Sequence, residues 1–263
     1  MPELPEVEAL RRRIEVRALN RTILAVTPGN DVTHIELPSA EERARLEGHQ
    51  FTEARRHGKY LFAGSASGPW MMLHMGMAGS IRVLDTDEPQ ADFIRLTVDF
   101  EGPRRLTFRD PRKFGWVRVI DDPDAVIADH DLGPDALSIG EAGFADRVGT
   151  CRGAVKSALL DQGKLAGIGN LWADEALYQA GIHPEARAAD LSEEAVARLH
   201  RTAIRVLQSV CDTDATYSEL PDAWLIHRRE AGRACTRCDG AIDKIKVGGR
   251  TSYHCPDHQD RAA

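Results

Sequence analysis

The chain has no apolar run approaching the roughly 18 residues that a membrane-spanning helix needs. Its N-terminus lacks the basic-then-apolar pattern of an export signal, so export is not expected. Five cysteines among 263 residues do not make a disulfide scaffold and fit a reducing cytoplasm. No internal repeat or low-complexity tract is visible. Positive charge is not in surplus: 34 Lys and Arg stand against 41 Asp and Glu, a net −7 that argues mildly against nucleic acid. What remains is a soluble globular chain, 42% hydrophobic, long enough for two modest domains with real cores.

Net charge misleads when charges are grouped, and here they are. Arg104, Arg105, Arg109, Arg112, Lys113 and Arg118 face only Asp110 in their stretch. Arg228, Arg229, Arg233, Arg237, Lys244, Lys246 and Arg250 face Glu230, Asp239 and Asp243, and Arg55, Arg56 and Lys59 flank His57 with no acid between them. Local basic surface of this kind tracks a phosphate backbone, although solvated faces of an ordinary protein would read the same way.

Residues 5–18 and 41–47 read as helices. Short apolar or alternating runs punctuated by Gly, Pro and Asp predict strands at 51–63, 70–74, 80–84, 93–100, 104–108 and 115–119, hence a sandwich or barrel. Residues 132–148 read as a linker. Helices follow at 155–160, 171–180 and 193–210, the last opened by Ser192 as N-cap. The expected division is 1–131 for a catalytic domain, 149–223 for a helical domain and 224–263 for a small terminal hairpin.

Three places carry chemistry. If Met1 is removed, the chain begins with the secondary amine of Pro2. An α-amino group titrates at roughly 7.7–8.0, against about 10.4 for lysine, so part of it is unprotonated near neutral pH and can attack an electrophilic carbon. Glu3 beside it is a ready acid or base, though Pro and Glu also simply start helices. Near the C-terminus, Cys235-x2-Cys238 and Cys255-x2-His258 are two ligand pairs sixteen residues apart. Three thiolates and an imidazole suit one closed, structural zinc ion. Between them Lys244, Lys246 and Arg250 stand on a hairpin tip that can deliver Arg250 to phosphates, or form an exposed turn. Lastly, Gly167 and Gly169 before a helix leave N–H groups for a phosphate, with Asn170 as N-cap or anion contact; helix packing would also explain them.

Together these pieces resemble the formamidopyrimidine-DNA glycosylase / endonuclease VIII family, closest to its formamidopyrimidine branch, over almost the whole length. The motifs are Pro2-Glu-Leu-Pro-Glu-Val-Glu8, His57-Gly-Lys-Tyr60, His74-Met-Gly-Met-Ala-Gly79, Asp110-Pro-Arg-Lys-Phe-Gly115, Gly167-Ile-Gly-Asn170, Ala180-Gly-Ile-His-Pro184 and the zinc hairpin. The resemblance implies an α+β protein: an N-terminal β-sandwich flanked by helices, then a helix–two-turn–helix domain with a zinc-finger hairpin. It implies a bifunctional DNA glycosylase/AP lyase of base-excision repair, cytoplasmic and nucleoid-associated, working as a monomer on double-stranded DNA with an oxidised base or abasic site. By the same resemblance Pro2 is the nucleophile that forms an iminium, and Glu3 the acid that opens the sugar ring. Lys59 and Arg250 contact phosphate and assist catalysis, and Lys164 and Asn170 contact phosphate or lesion. Met77 and Phe114 fill the void of the flipped nucleotide, and Arg112 reads the orphaned cytosine. From the residues alone, Met77 and Phe114 read as core.

The chain departs from the family pattern in three places. Residues 211–227 are short for the loop that closes over an everted purine, which bears on 8-oxoguanine more than on formamidopyrimidines. The zinc set ends in His258 where many relatives have cysteine, and Trp172 stands where tyrosine is common. The rival readings are an endonuclease VIII-like specificity for oxidised pyrimidines, a non-catalytic binder of damaged DNA, and a ribosome-associated protein.

Overall fold

Alternation of buried and exposed positions builds the first half of the chain. The structure, a computed structural model, describes residues 1–89 and 91–261. It divides into two units: Met1–Pro2 with Glu6–His130, and Glu3–Pro5 with Asp131–Ala263.

Helix α1 (Leu4–Arg17) belongs to the first unit from Glu6 on, and there Val7, Leu10 and Ile14 recur at helical spacing and are buried. Strand β1 (Ile23–Pro28) was not among the individually expected runs. Helix α2 (Ala40–Leu46) begins with a reciprocal box in which the Glu42 N–H donates to Ser39 and the Ser39 N–H donates to Glu42. The expected run 51–63 is a hairpin, β2 (Glu53–His57) and β3 (Tyr60–Gly64), turned at Gly58 with φ +54°. Then come β4 (Trp70–His74), β5 (Ser80–Asp85), β6 (Ile94–Phe100), β7 (Arg104–Arg109) and β8 (Trp116–Ile120). They form two antiparallel four-stranded sheets, β1-β6-β7-β5 and β2-β3-β4-β8. One core takes Ile81, Val83, Leu96, Val98, Leu106 and Phe108 from the first and Leu61, Ala63, Met71, Leu73, Val117 and Val119 from the second. This is the expected β-sandwich. A further helix, α3 (Pro123–Asp129), lends Val126 and Ile127 to a separate apolar cluster on Phe62, Trp70 and Met72.

In the second unit, the segment expected as a linker is structured. Residues 132–148 contain α4 (Glu141–Phe144) and run into a π-helical turn at Ala145–Gly149, and they bury Ala136, Ile139, Phe144 and Val148 in this unit's core. Glycines at 133, 140 and 143 hid four inward-facing apolar side chains from a composition-based reading. Helices α5 (Val155–Leu160), α6 (Asn170–Ala180) and α7 (Glu193–Asp212) share that core. Ser192 caps α7 through the Ala195 N–H, as its sequence position predicts. Strands β9 (Asp243–Val247) and β10 (Arg250–His254) form the terminal hairpin. Among the described residues no helix is long and apolar enough to cross a membrane.

Candidate active site and nucleic-acid interface

Glu3 is the most heavily engaged of the expected site residues. It is almost fully buried. Its carboxylate accepts from the backbone N–H of Gly169 (2.8 Å), Leu171 (2.8 Å) and Trp172 (3.2 Å), the first turn of α6. The positive end of a helix thus receives an anion. That anion is the chain's own, which corrects the expectation that Gly167 and Gly169 leave N–H groups for a phosphate. The Gly167 N–H is also taken, by the Gln162 side-chain oxygen at 3.0 Å. Gly169 has a steric reason to be glycine, because a Cβ there would fall on the Glu3 carboxyl group. It is also the N-cap of α6, so Asn170 is the first helical residue rather than the cap. The Asn170 Oδ1 is buried and has no hydrogen-bond partner. A buried acceptor left open at the helix end that holds Glu3 can serve a donor from outside the chain.

In the first unit, the β2–β3 turn presents Lys59, nine-tenths buried, and the register sets Tyr60 opposite His74. Burial, and then the Lys59 charge, pushes His74 down to about 4. His74 is therefore neutral at pH 7, stacked on Trp116 with ring centroids 5.6 Å apart. Its Nδ1 accepts from the Gly76 N–H at 3.3 Å, shaping the turn that carries Met77. His74 belongs to a quoted motif, yet sequence reasoning gave it no role; its place beside Lys59 comes from strand register.

Met77 and Phe114 are exposed, not core. Their loops interlock: Gly76 has φ +54°, and a Cβ there would collide with the backbone of Phe114 and Gly115. The fully buried Asp110 carboxylate clamps the second loop, accepting from the N–H groups of Arg112 (3.0 Å) and Gly115 (2.7 Å). Arg112 forms no ion pair among the described residues, and its guanidinium lies 5.2 Å from the Phe114 ring centroid. Two apolar tips and a free planar donor fork therefore share one pair of loops.

The basic runs are less basic in space than in sequence. Arg104 pairs with Asp85, Arg105 with Asp99, Arg118 with Glu36, Lys113 with Asp31 and Arg56 with Glu8. Lys164, Lys244, Lys246 and Arg250 stay without an ion pair among the described residues.

Arg250 follows a two-residue turn of Gly248 (φ +55°) and Gly249 (φ +76°), both in the left-handed region that a tight hairpin requires. Helix α6 holds this hairpin. The fully buried Asp174 accepts from the Ser252 hydroxyl (2.7 Å) and the Tyr253 N–H (3.1 Å), and pairs with Lys156 (2.7 Å) and Arg229 (3.0 Å). Lys156, also fully buried, donates to the Thr251 carbonyl at 3.0 Å. One helix thus anchors Glu3 at its N-terminus and the Arg250 strand along its side.

The Sγ atoms of Cys235, Cys238 and Cys255 lie within 4.8 Å of one another. The Arg237 and Gly240 N–H groups donate to Cys235 and Cys238 at 3.3 and 3.4 Å, as thiolates at a metal require. Burial, then the Cys238 thiol, pushes Cys255 up to about 12, a cost that a bound cation removes. His258 falls outside the 4.8 Å group. Its Nε2 donates to the Tyr178 carbonyl at 2.8 Å, which leaves Nδ1 with the lone pair.

Sequence models of two domains match the chain: the formamidopyrimidine-DNA glycosylase N-terminal domain at residues 1–117 and its H2TH domain at 132–222. The chain belongs to the formamidopyrimidine-DNA glycosylase family. Relatives of that name include one from Arabidopsis thaliana, 37% identical over 98% of this chain and 71% of its own length. Another, from Geobacter metallireducens, is 36% identical over 97% of this chain and 98% of its own length. Among solved structures, the Lactococcus lactis formamidopyrimidine-DNA glycosylase non-covalently bound to DNA containing an AP site has a TM-score of 0.86 at 28% identity, covering 98% of this chain and 99% of that one. MutM in complex with DNA containing carbocyclic 8-oxo-G has a TM-score of 0.85 at 30% identity, covering 98% and 100%. Membership in this family makes the chain a DNA-repair glycosylase.

Proposed function

We propose that the chain is a bifunctional glycosylase/AP lyase that excises oxidised purines, foremost ring-opened formamidopyrimidines, from double-stranded DNA. The observation that carries this reading is the Glu3 carboxylate locked by three backbone donors in the residue next to Pro2. Once Met1 is removed, the Pro2 nitrogen attacks C1′ and the damaged base leaves. Glu3 takes up the proton that the Pro2 nitrogen sheds after attack and delivers it to the ring oxygen as the C1′–O4′ bond opens, giving an iminium on Pro2. Loss of the C2′ proton with departure of the 3′ phosphate, and then δ-elimination of the 5′ phosphate, cuts the strand. Hydrolysis of the iminium restores Pro2.

Lys59, Lys164, Asn170 and Arg250 hold phosphates or the lesion, Met77 and Phe114 fill the vacated stack, and Arg112 reads the orphaned cytosine. One zinc ion fits the three cysteines, with His258 as fourth ligand through Nδ1, the nitrogen that the Tyr178 bond leaves basic. It supplies structure only, closing the hairpin that carries Arg250. The 211–227 loop turns early through Asp214 (φ +47°) and Ala215 (φ +59°), and Tyr217 sits edge-on to Trp172 at 5.5 Å. A cover this short weighs against 8-oxoguanine as the main substrate.

Borohydride trapping on duplexes carrying formamidopyrimidine-guanine, 8-oxoguanine, thymine glycol or an abasic site tests the proposal. The expected result is an adduct mapped to Pro2, strongest for formamidopyrimidine opposite cytosine, with Glu3→Gln slowing excision by about 10²–10⁴-fold. Preference for thymine glycol moves the chain to oxidised pyrimidines; no adduct at an abasic site despite tight binding removes the enzyme reading.

A further inference from the structure

A buried arginine in the sandwich is not needed by the chemistry above. Arg95 is about 2% exposed. Its donors go to loop carbonyls: Nε to Asp110 (2.8 Å), and Nη1 to Asp31 (2.7 Å) and Asn30 (3.2 Å). Among the described residues the one acid paired with it, Asp31, stands at 3.6 Å with a mostly exposed side chain. Burying a guanidinium against carbonyls costs desolvation, and an apolar residue would fill the same strand position at least as stably. What an apolar residue cannot do is tie two loops together through a planar fork of donors.

The strand is built to aim this side chain. Pairing of β6 with β7 runs Ile94 to Arg109 and then Leu96 to Phe108, so Arg95 is the extra residue of a β-bulge. Bulges re-aim a side chain and recur beside functional sites. The loop that Arg95 grips at the Asp110 carbonyl is the one whose Arg112 N–H bonds the Asp110 carboxylate. The same loop is fastened again three residues after Asp110, where Lys113, held at φ +57°, bonds Asp31 at 2.6 Å. Asp31 thus meets Arg95 through its carbonyl and Lys113 through its carboxylate.

We propose that Arg95, with Asp31, is a positioning residue for opposite-base selection: it ties the 30–31 loop to the 110–115 loop and so fixes the direction in which Arg112 presents its donors. The proposal rests on the reading of Arg112 as the reader of the orphaned base. Angular precision is what such reading demands, since a bidentate base contact discriminates only when its fork is aligned.

The test measures single-turnover excision of formamidopyrimidine-guanine opposite cytosine and opposite adenine, with abasic-site trapping as a control, in the zinc-loaded full chain. Arg112→Ala, Arg95→Lys and Asp31→Ala are compared with the unaltered protein. We expect Arg95→Lys to keep abasic-site trapping while its cytosine preference falls about tenfold, the scale of one misaligned base contact. Asp31→Ala, a surface change that leaves the carbonyl in place, loses a few-fold of the preference, and it decides the matter if Arg95→Lys does not fold. A preference that survives Arg112→Ala overturns the reading of Arg112 and the proposal with it. A preference that collapses in Arg112→Ala but survives in both other variants overturns the proposal alone. Uniform slowing on both opposite bases would mean that Arg95 only supports the fold.

Discussion

The 110–115 loop stands on a sandwich core that includes Ile81, Leu96, Leu106 and Phe108. The 243–254 hairpin has a much smaller apolar base: its cluster comprises Tyr178, Leu225, Ile242 and the cysteines 235 and 255, with Cys238 and Tyr253 against it. Two candidate DNA-contacting elements of one chain are therefore held by different forces. The loop draws on apolar burial and tight backbone geometry. The hairpin draws on a buried ionic network at Asp174 and on three clustered cysteines placed to hold a metal ion. Burial is non-directional and tolerant of small changes, whereas ions in a dry interior stabilise only while every partner is present. The hairpin should be the more fragile of the two, and fragile in ways that chemistry can switch.

The largest expected effect is at the three cysteines proposed to hold zinc. Chelation, or Cys255→Ser, removes a contribution of about 10–16 kcal/mol by the measure of zinc-dependent peptides. Amide exchange should then become fast across residues 243–254 and stay slow across 70–74. Equal loss of protection in both segments would erase the contrast. Asp174→Asn comes next. It leaves the Lys156 charge buried without a carboxylate partner, a change that costs about 3–5 kcal/mol in comparable pairs. Denaturant unfolding should show the loss, and zinc affinity should fall with it; replacing both members by Leu and Met should recover the stability.

The smallest effect lies on the sandwich side. His74 has its folded value pushed down to about 4 from an ordinary 6.5, first by burial and then by Lys59. Between those values the unfolded chain binds the extra proton, so stability is full above 6.5 and declines as pH falls toward 4, by roughly 3 kcal/mol at most. Comparing the pH dependence of unfolding for His74→Asn and the unaltered protein should reveal one proton fewer in that window. An unchanged slope would mean that His74 is wetter than its packing implies.

Legibility in the sequence followed locality. Strands 70–74 and helix 155–160 were read to the residue because apolar runs bounded by Gly, Pro or Asp need no distant partner. The Ser192 cap and the Cys-x2-Cys pair are equally local. Helices α3 and α4 escaped because each is only a few residues long and owes its place to packing on distant residues of its own unit, Val126 and Ile127 of α3 on Phe62, Trp70 and Met72, and Phe144 of α4 in the second unit's core. The charge runs are thinned by ion pairs for a related reason. Arg118 and Glu36 are 82 positions apart, and no composition window joins them. The Gly167–Asn170 segment is legible as a helix start, but the expectation of a phosphate there is overturned, because the acceptor that fills it, Glu3, lies 166 residues away.

By itself the sequence determined the family, the α+β order of elements, the identity of the groups that can act and the spacing of the thiols. Those follow from residue type and short-range periodicity. Only the tertiary structure decided which anion fills the start of α6, which arginines keep a free charge, that Met77 and Phe114 stand in solvent, and that a buried arginine grips the loop of Arg112. Each depends on a pairing between distant residues, and such pairings are chosen by burial and hydrogen-bond satisfaction of the whole fold.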